Sequence, residues 1–169
     1  PDHRHRTDVR YIKKTLDTKL TREDFEDLAQ HIRAKGCIPM ATPFDETAVD
    51  FLEESIDPPL HKIASFELNH LPLLRKVART GKPVAASVGA STRDEIAAAV
   101  DLLRSEGCPL VVLLQCVSEY PVDPADFHLS TIPRLAHEFK VTVGLSDHSP
   151  GHLAAVAATA TSRRTPSGS

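Results

Sequence analysis

The chain has 169 residues, 41% of them hydrophobic and 25% charged, with a formal net charge of −3 and a sequence pI near 6.3. These values suit one globular domain around one core and exclude a disordered or fibrous chain. Lysine and arginine are scattered rather than striped along one face, so there is no electrostatic footprint for nucleic acid or an anionic membrane, and neither is an expected partner.

In chain order, residues 1–20 are charged and weakly patterned, a frayed remnant with a helical stretch at Tyr11-Ile12-Lys13-Lys14. Thr21 before Arg22-Glu23-Asp24 reads as a helix N-cap with acids in the first turn. Phe25, Leu28, Ala29 and Ile32 give that helix one apolar face up to a stop at Gly36. A strand is expected at 37–41, then a helix over 46–54 capped by Asp45. A second strand at 61–65 precedes a helix over 71–79 that ends at Gly81. The third strand falls at 83–87, followed by a helix over 93–105 capped by Thr92 and stopped before Gly107. Strands at 110–115 and 141–145 and an alanine-rich helix from Gly151 to Ala160 complete the pattern, before a disordered polar tail at 162–169. Each strand is a short apolar run of the kind buried on both faces. The alternation predicts parallel βα units and an α/β fold over 21–161. It suits either an open doubly wound sheet or most of an eight-stranded barrel, whose typical length of about 250 residues exceeds this chain.

Cys37, Cys108 and Cys116 are odd in number and widely spaced, so reduced, mostly buried thiols are expected rather than disulfides or a zinc site. No apolar run approaches the roughly 20 residues of a spanning helix, and the start lacks a signal peptide's apolar stretch. A cytoplasmic location is the default. The first residue is Pro1 rather than Met, and the last residues are unpatterned, so both ends read as cut or altered.

In either α/β architecture the ligand site lies at the carboxyl ends of the strands. Those ends read Thr42-Pro43-Phe44-Asp45, Ser65-Phe66-Glu67, Ser87-Val88-Gly89, Gln115-Cys116-Val117-Ser118-Glu119-Tyr120 and Ser146-Asp147-His148-Ser149. A ring of Thr42, Ser65, Ser87, Ser118 and Ser146 would offer neutral donors and acceptors to phosphate, carboxylate or sugar hydroxyls. No glycine-rich phosphate loop is present, which disfavours a nucleotide fold.

Lys62 is the sharpest single signal, because a lysine inside an apolar strand is costly unless it meets an anion or serves as an amine nucleophile. The alternative is an edge lysine that snorkels to water. Lys62 and Ser65 are three residues apart, so strict alternation sends them to opposite faces, and they share a pocket only through a bulge or strand end near Ala64. Glu67 suits a general acid or base, or a solvated acid before the helix that Asn69 and Pro72 introduce. His148 suits a divalent metal or a phosphate, whereas Pro150 and Gly151 interrupt the spacing between His148 and His152. Lys82 is expected in a solvent turn, and Asp94, Glu95, Asp101 and Arg104 on a wet helix face.

Taken together, Ala41-Thr42-Pro43-Phe44-Asp45, Lys62-Ile63-Ala64-Ser65-Phe66-Glu67, Thr80-Gly81-Lys82-Pro83-Val84, Cys116-Val117-Ser118-Glu119-Tyr120-Pro121 and Gly144-Leu145-Ser146-Asp147-His148 resemble the sialic acid synthases. That family includes the N-acetylneuraminate, pseudaminic acid and legionaminic acid synthases, and the resemblance covers about 21–160. It implies an aldolase-type TIM (β/α)8 barrel, here partial, with about five βα units standing for strands three to seven. It implies condensation of phosphoenolpyruvate with an N-acetylated amino sugar, of the N-acetylmannosamine type, to a nine-carbon 2-keto acid with phosphate release. A divalent metal, manganese or magnesium, is the implied cofactor, and a homodimer the implied assembly.

By position, Thr42, Lys62, Ser65 and Ser146 match phosphoenolpyruvate contacts, with Lys62 and Glu67 the catalytic candidates. Glu67 and Tyr120 match the sugar side, Ser118 a position that carries Asn or Ser in the family, and His148 a metal ligand that would polarise the sugar aldehyde. Several family features are missing from the pattern. They are the first two strands with their Glu, Lys and Gln, the eighth strand, a second metal-binding His and a C-terminal antifreeze-like domain. Ser87-Val88-Gly89-Ala90 replaces a more usual Ser-Thr-Gly-Met, and Gln115 replaces a common His. Two other readings stand beside this one: a non-catalytic interaction remnant with exposed strand edges, and a Schiff-base aldolase that uses the Lys62 amine.

Overall fold

The structure, a computed structural model, describes residues 13, 14 and 18–162. Most of the expected amino-terminal remnant and the polar tail beyond Ser162 lie outside the described residues. The chain divides into two compact units, Pro1–Pro39 and Met40–Ser169. The division falls within 37–41, where the sequence led us to expect a strand and where the structure has none. Pro39 stands in the middle of that run and has no N–H to give to a ladder.

In the first unit, helix α1 spans Arg22–Ala34. Thr21 and Asp24 form a reciprocal capping box, with the Thr21 Oγ1 accepting from the Asp24 N–H at 3.1 Å and the Asp24 carboxylate accepting from the Thr21 N–H at 2.8 Å. Only Ala29 of the expected apolar face is buried; Leu28 is 46% exposed.

The second unit begins with α2, Glu46–Phe51, capped by Asp45, whose carboxylate accepts from the Ala48 N–H at 2.7 Å. The expected helix over 46–54 does not run on as one α-helix. It widens into a π-helical turn, Leu52–Ile56, that ends at Asp57 in the left-handed region. Then come β1 (His61–Ile63), a 3₁₀ turn (Ser65–Glu67), α3 (Leu71–Ala78), β2 (Val84–Ser87) and α4 (Arg93–Ser105). The order continues with β3 (Val111–Cys116), a second 3₁₀ turn (Pro124–Asp126), α5 (Thr131–Phe139), β4 (Thr142–Ser146) and α6 (Leu153–Ser162). Helix α5 was not anticipated from the sequence; it buries Ile132, Leu135 and Phe139 at helical spacing.

The four strands pair in parallel in the order β1-β2-β3-β4. In-register neighbours share a face, and this sorts the sheet into two unlike sides. Ile63, Ala86 and Leu113 are fully buried on one face, in a core with Leu73, Leu74, Val77 and Leu103 from the helices. Each such leucine contributes roughly 1.5–3 kcal/mol by leaving water. On the other face Lys62, Ala85, Val112, Leu114 and Gly144 are only half-buried and Thr142 is exposed. Burial of the strands on both faces, expected from their composition, therefore holds on one face for β1 to β3, and on the other only at Ser87 and Cys116 near the carboxyl ends.

Candidate functional site

The half-buried face carries its chemistry at the carboxyl ends of the strands. Lys62, in the middle of β1, sends its Nζ along the sheet to donate to the Ser87 Oγ at 2.6 Å and to the Ile63 carbonyl at 2.9 Å. Both partners are neutral, and the lysine makes no ion pair with any described residue. Burial pulls this ammonium below the ordinary lysine range, and Cys116 and Glu67 only partly oppose that pull.

The conflict between Lys62 and strict alternation is resolved by the strand end. β1 stops at Ile63 and Ser65 opens the 3₁₀ turn, so the Ser65 Oγ reaches the Gly89 N–H, from which it accepts at 3.2 Å. Lys62 and Ser65 thus converge on the end of β2 from a single strand. Gly89 is pressed against the end of β3, where a Cβ would lie 2.5 Å from the Cys116 carbonyl oxygen. Only glycine allows that approach. Cys116, 5% exposed, faces Ser146 in the register of β3 and β4. Glu67 sits at the last position of the turn with its Oε2 buried and without a hydrogen-bond partner.

A second group lies past β3 and β4. The His148 Nδ1 is 2.8 Å from the Val117 carbonyl, which only accepts, so Nδ1 carries the proton and Nε2 keeps its lone pair. The Tyr120 ring stacks on this imidazole with centroids 4.1 Å apart, and the Val122 N–H donates to the His148 carbonyl at 3.3 Å. The Cys116 Sγ lies 4.0 Å from the His148 Nδ1, at the carboxyl end of β3 beside the Gly89 approach. Ser87 belongs to the expected hydroxyl ring, whereas the sequence signals Cys116 only as a buried thiol.

Thr42 is half-buried in the segment before α2, ends no strand, and joins none of these hydrogen bonds. Ser118 and Ser146 are half-buried near the second group. Lys82 departs from the expected solvent turn: its side chain is 21% exposed and its Nζ donates to Glu53 at 2.9 Å and to Asp57 at 2.7 Å. For a divalent metal, the His148 Nε2 is a suitable single donor, and no group of three His, Cys, Asp or Glu side chains occurs among the described residues.

Residues 2–162 match the sequence model of the NeuB family. This chain belongs to that family. It is similar to the pseudaminic acid synthase of Campylobacter jejuni, 39% identical over 130 residues that make up 77% of this chain and 38% of that protein. It is similar also to the N,N'-diacetyllegionaminic acid synthase of the same organism, 35% identical over 150 residues, 86% of this chain and 43% of that protein. Its fold matches the N-acetylneuraminic acid (sialic acid) synthetase of Leptospira borgpetersenii, solved with citrate, with a TM-score of 0.84 and 30% identity over 93% of this chain and 55% of that one. The NeuB-family chain thus spans less than half the length of the curated relatives it matches. Among the described residues, no helix is long and apolar enough to cross a membrane.

Proposed function

We propose that this NeuB-family chain carries the phosphoenolpyruvate side of a sugar-acid synthase site, which condenses phosphoenolpyruvate with an N-acetylated amino sugar and releases inorganic phosphate. β1 to β4 are then consecutive strands of an aldolase-type barrel, and the half-buried face of the sheet is its lumen. The observation that carries this reading is Lys62, a half-buried cation whose hydrogen-bond partners among the described residues are a hydroxyl and a carbonyl. Such a charge is stabilised when an anion arrives, and the hydroxyls of Ser65 and Ser87 flank it as further polar partners.

In this reading Lys62, Ser65 and Ser146 hold the anion, joined by Thr42 at the rim. Glu67, with its buried and unpartnered Oε2, holds or passes a proton beside the reacting carbons. Tyr120, 73% exposed, and Ser118 face the sugar. A manganese or magnesium ion would take the His148 Nε2 as one ligand and would supply Lewis-acid polarisation of the sugar aldehyde. The chain's own part is to fix that imidazole through the Val117 carbonyl and the Tyr120 ring.

The test is phosphate release from phosphoenolpyruvate in the presence of N-acetylmannosamine or its 2,4-diacetamido analogues and manganese, with Lys62→Ala as control. Release by the parent chain that is lost in Lys62→Ala supports the proposal. No release from a folded, soluble sample overturns it for this chain. A second reading, favoured by the depressed basicity of Lys62, uses this amine as a Schiff-base nucleophile. A borohydride-trapped adduct at Lys62 with a keto substrate would establish it in place of the first.

A further inference from the structure

The amino end of the sheet carries a fully buried histidine that the synthase reading leaves unused. His61 opens β1 on the core face, opposite to Lys62, with its side chain sealed from water. Its Nε2 is 2.9 Å from the Glu53 Oε1. A carboxylate oxygen only accepts, so Nε2 carries the proton and Nδ1 keeps a lone pair. That Nδ1 is buried with no hydrogen-bond partner among the described residues. The pocket is thus fitted to a neutral imidazole. A second proton would place an N–H where no acceptor stands, and would set a second cation on an oxygen that already takes the Lys82 Nζ at 2.9 Å.

Glu53 belongs to the π-helical turn, which ties the histidine to a defined piece of backbone. The Asp57 N–H closes that turn by donating to the Leu52 carbonyl at 2.7 Å, and Asp57 itself sits in the left-handed region at φ 47°. Lys82 bridges the turn, reaching Glu53 at 2.9 Å and Asp57 at 2.7 Å. From Asp57 the chain passes through Pro58 and Pro59, whose fixed φ makes a stiff link, and enters β1 after Leu60. β1 has three residues and pairs among the described residues with β2 alone, and the His61 N–H donates to the Pro83 carbonyl at 2.9 Å. Turn, link and strand therefore have His61 as a common fastening.

The charged groups that bear on the imidazole are Glu53 from the turn, which favours a second proton, and Lys82 from the segment before β2, which opposes it. Asp57 meets Lys82, the neighbour of His61 in the register of β2 is Val84, and Lys62 on its own strand belongs to the other face. Burial outweighs Glu53 and holds the group below its ordinary value near 6.5. An opened turn would release the ring to water and restore that ordinary value, so acid favours the opened form.

We propose that the π-helical turn, the proline link and β1 form an acid-weakened latch, in which protonation of His61 favours local release of residues 52–63 from the amino end of the sheet while α4 and the strands beyond stay closed. Lys62 is the middle residue of β1, so the latch governs how firmly that lysine is seated. The latch stands independently of the synthase reading, which bears only on what Lys62 does once seated.

The experiment is amide hydrogen exchange of the full chain at about pH 7.5 and about pH 5.5, corrected for intrinsic rates, in the parent, His61→Gln and His61→Phe. His61→Gln keeps an N–H for Glu53 and does not titrate; His61→Phe serves as the non-titrating comparison if that variant does not fold. Protection over 52–63 should fall by about fivefold or more in the parent, with a ceiling near tenfold set by one pH unit below 6.5, and by less than about twofold in the variant. Protection over Arg93–Ser105 should change by less than about twofold in both. Unchanged protection over 52–63 in the parent, an equal fall over Arg93–Ser105, or an equal fall in the variant would each overturn the proposal. So would imidazole nitrogen resonances of His61 that report the imidazolium at the lower pH while 52–63 stays fully protected.

Discussion

Two lysines, one at each end of the sheet, show what a charge does when it is answered and when it is not. Lys82, just before β2, meets Glu53 and Asp57; burial pulls its basicity down, but the hydrogen bonds and charges of the two carboxylates outweigh that and raise it above the ordinary value. Lys62, within β1, meets among the described residues the Ser87 hydroxyl and the Ile63 carbonyl, and burial lowers its basicity. At the amino end the fold has completed its own electrostatics. The carboxyl end keeps a cation that forms no ion pair among the described residues and whose burial Glu67 only partly offsets, the feature on which the proposed anion site rests.

The amino end is also organised around His61, whose side chain is fully buried with its Nε2 2.9 Å from the same Glu53 oxygen that Lys82 reaches. If this end is structural, His61→Ala removes packing and half of that carboxylate's partners. It should cost about 3 kcal/mol in urea denaturation. Burial holds the His61 imidazole below the usual histidine range despite Glu53, so the native state binds fewer protons than the unfolded chain. Its contribution to stability is therefore present above the ordinary value near 6.5 and is lost as pH falls below that, toward the folded-state value. A His61→Phe variant should show a shallower loss between about pH 7.5 and about pH 5.5 than the parent chain.

The next effect belongs to the carboxyl end. Gly89→Ala places a methyl 2.5 Å from a backbone oxygen that no rotamer change can move. A destabilisation of about 2 kcal/mol is expected, together with loss of the Gly89 N–H to Ser65 contact, read as a shifted Gly89 amide resonance. Lys82→Met should cost about 1 kcal/mol, because its partners are partly exposed and retain access to water. Lys62→Met should change stability by no more than about 0.5 kcal/mol in either direction, since the charge it removes forms no ion pair among the described residues. A large loss in Lys62→Met, matching or exceeding that in Lys82→Met, would erase the distinction between the two ends.

Much of this contrast was legible in the sequence, and the exceptions have physical causes. The half-burial of Lys62 was legible, because a lysine inside an apolar strand cannot reach water freely. The helix boundaries at Thr21, Asp45 and Thr92 were legible because capping is a local interaction. The run at 37–41 has strand composition, but pairing is a long-range property and Pro39 removes a donor that a ladder needs. Helix α5 escaped notice because Ser130 makes no side-chain cap and Pro133 stands in its first turn. The structural role of Lys82 depends on Glu53 and Asp57, which the π-helical turn presents to it from 29 and 25 residues away. The position of Cys116 beside His148 and opposite Ser146 likewise depends on the register of β3 and β4.

The measurement that tests the central claim most directly is calorimetric titration of phosphoenolpyruvate into the parent chain, Lys62→Met and Lys82→Met, each shown to be folded by circular dichroism. The unanswered cation at the carboxyl end predicts saturable binding to the parent and to Lys82→Met, with a loss of at least about a hundredfold in Lys62→Met. Equal affinity in the parent and Lys62→Met, or a loss confined to Lys82→Met, would contradict it.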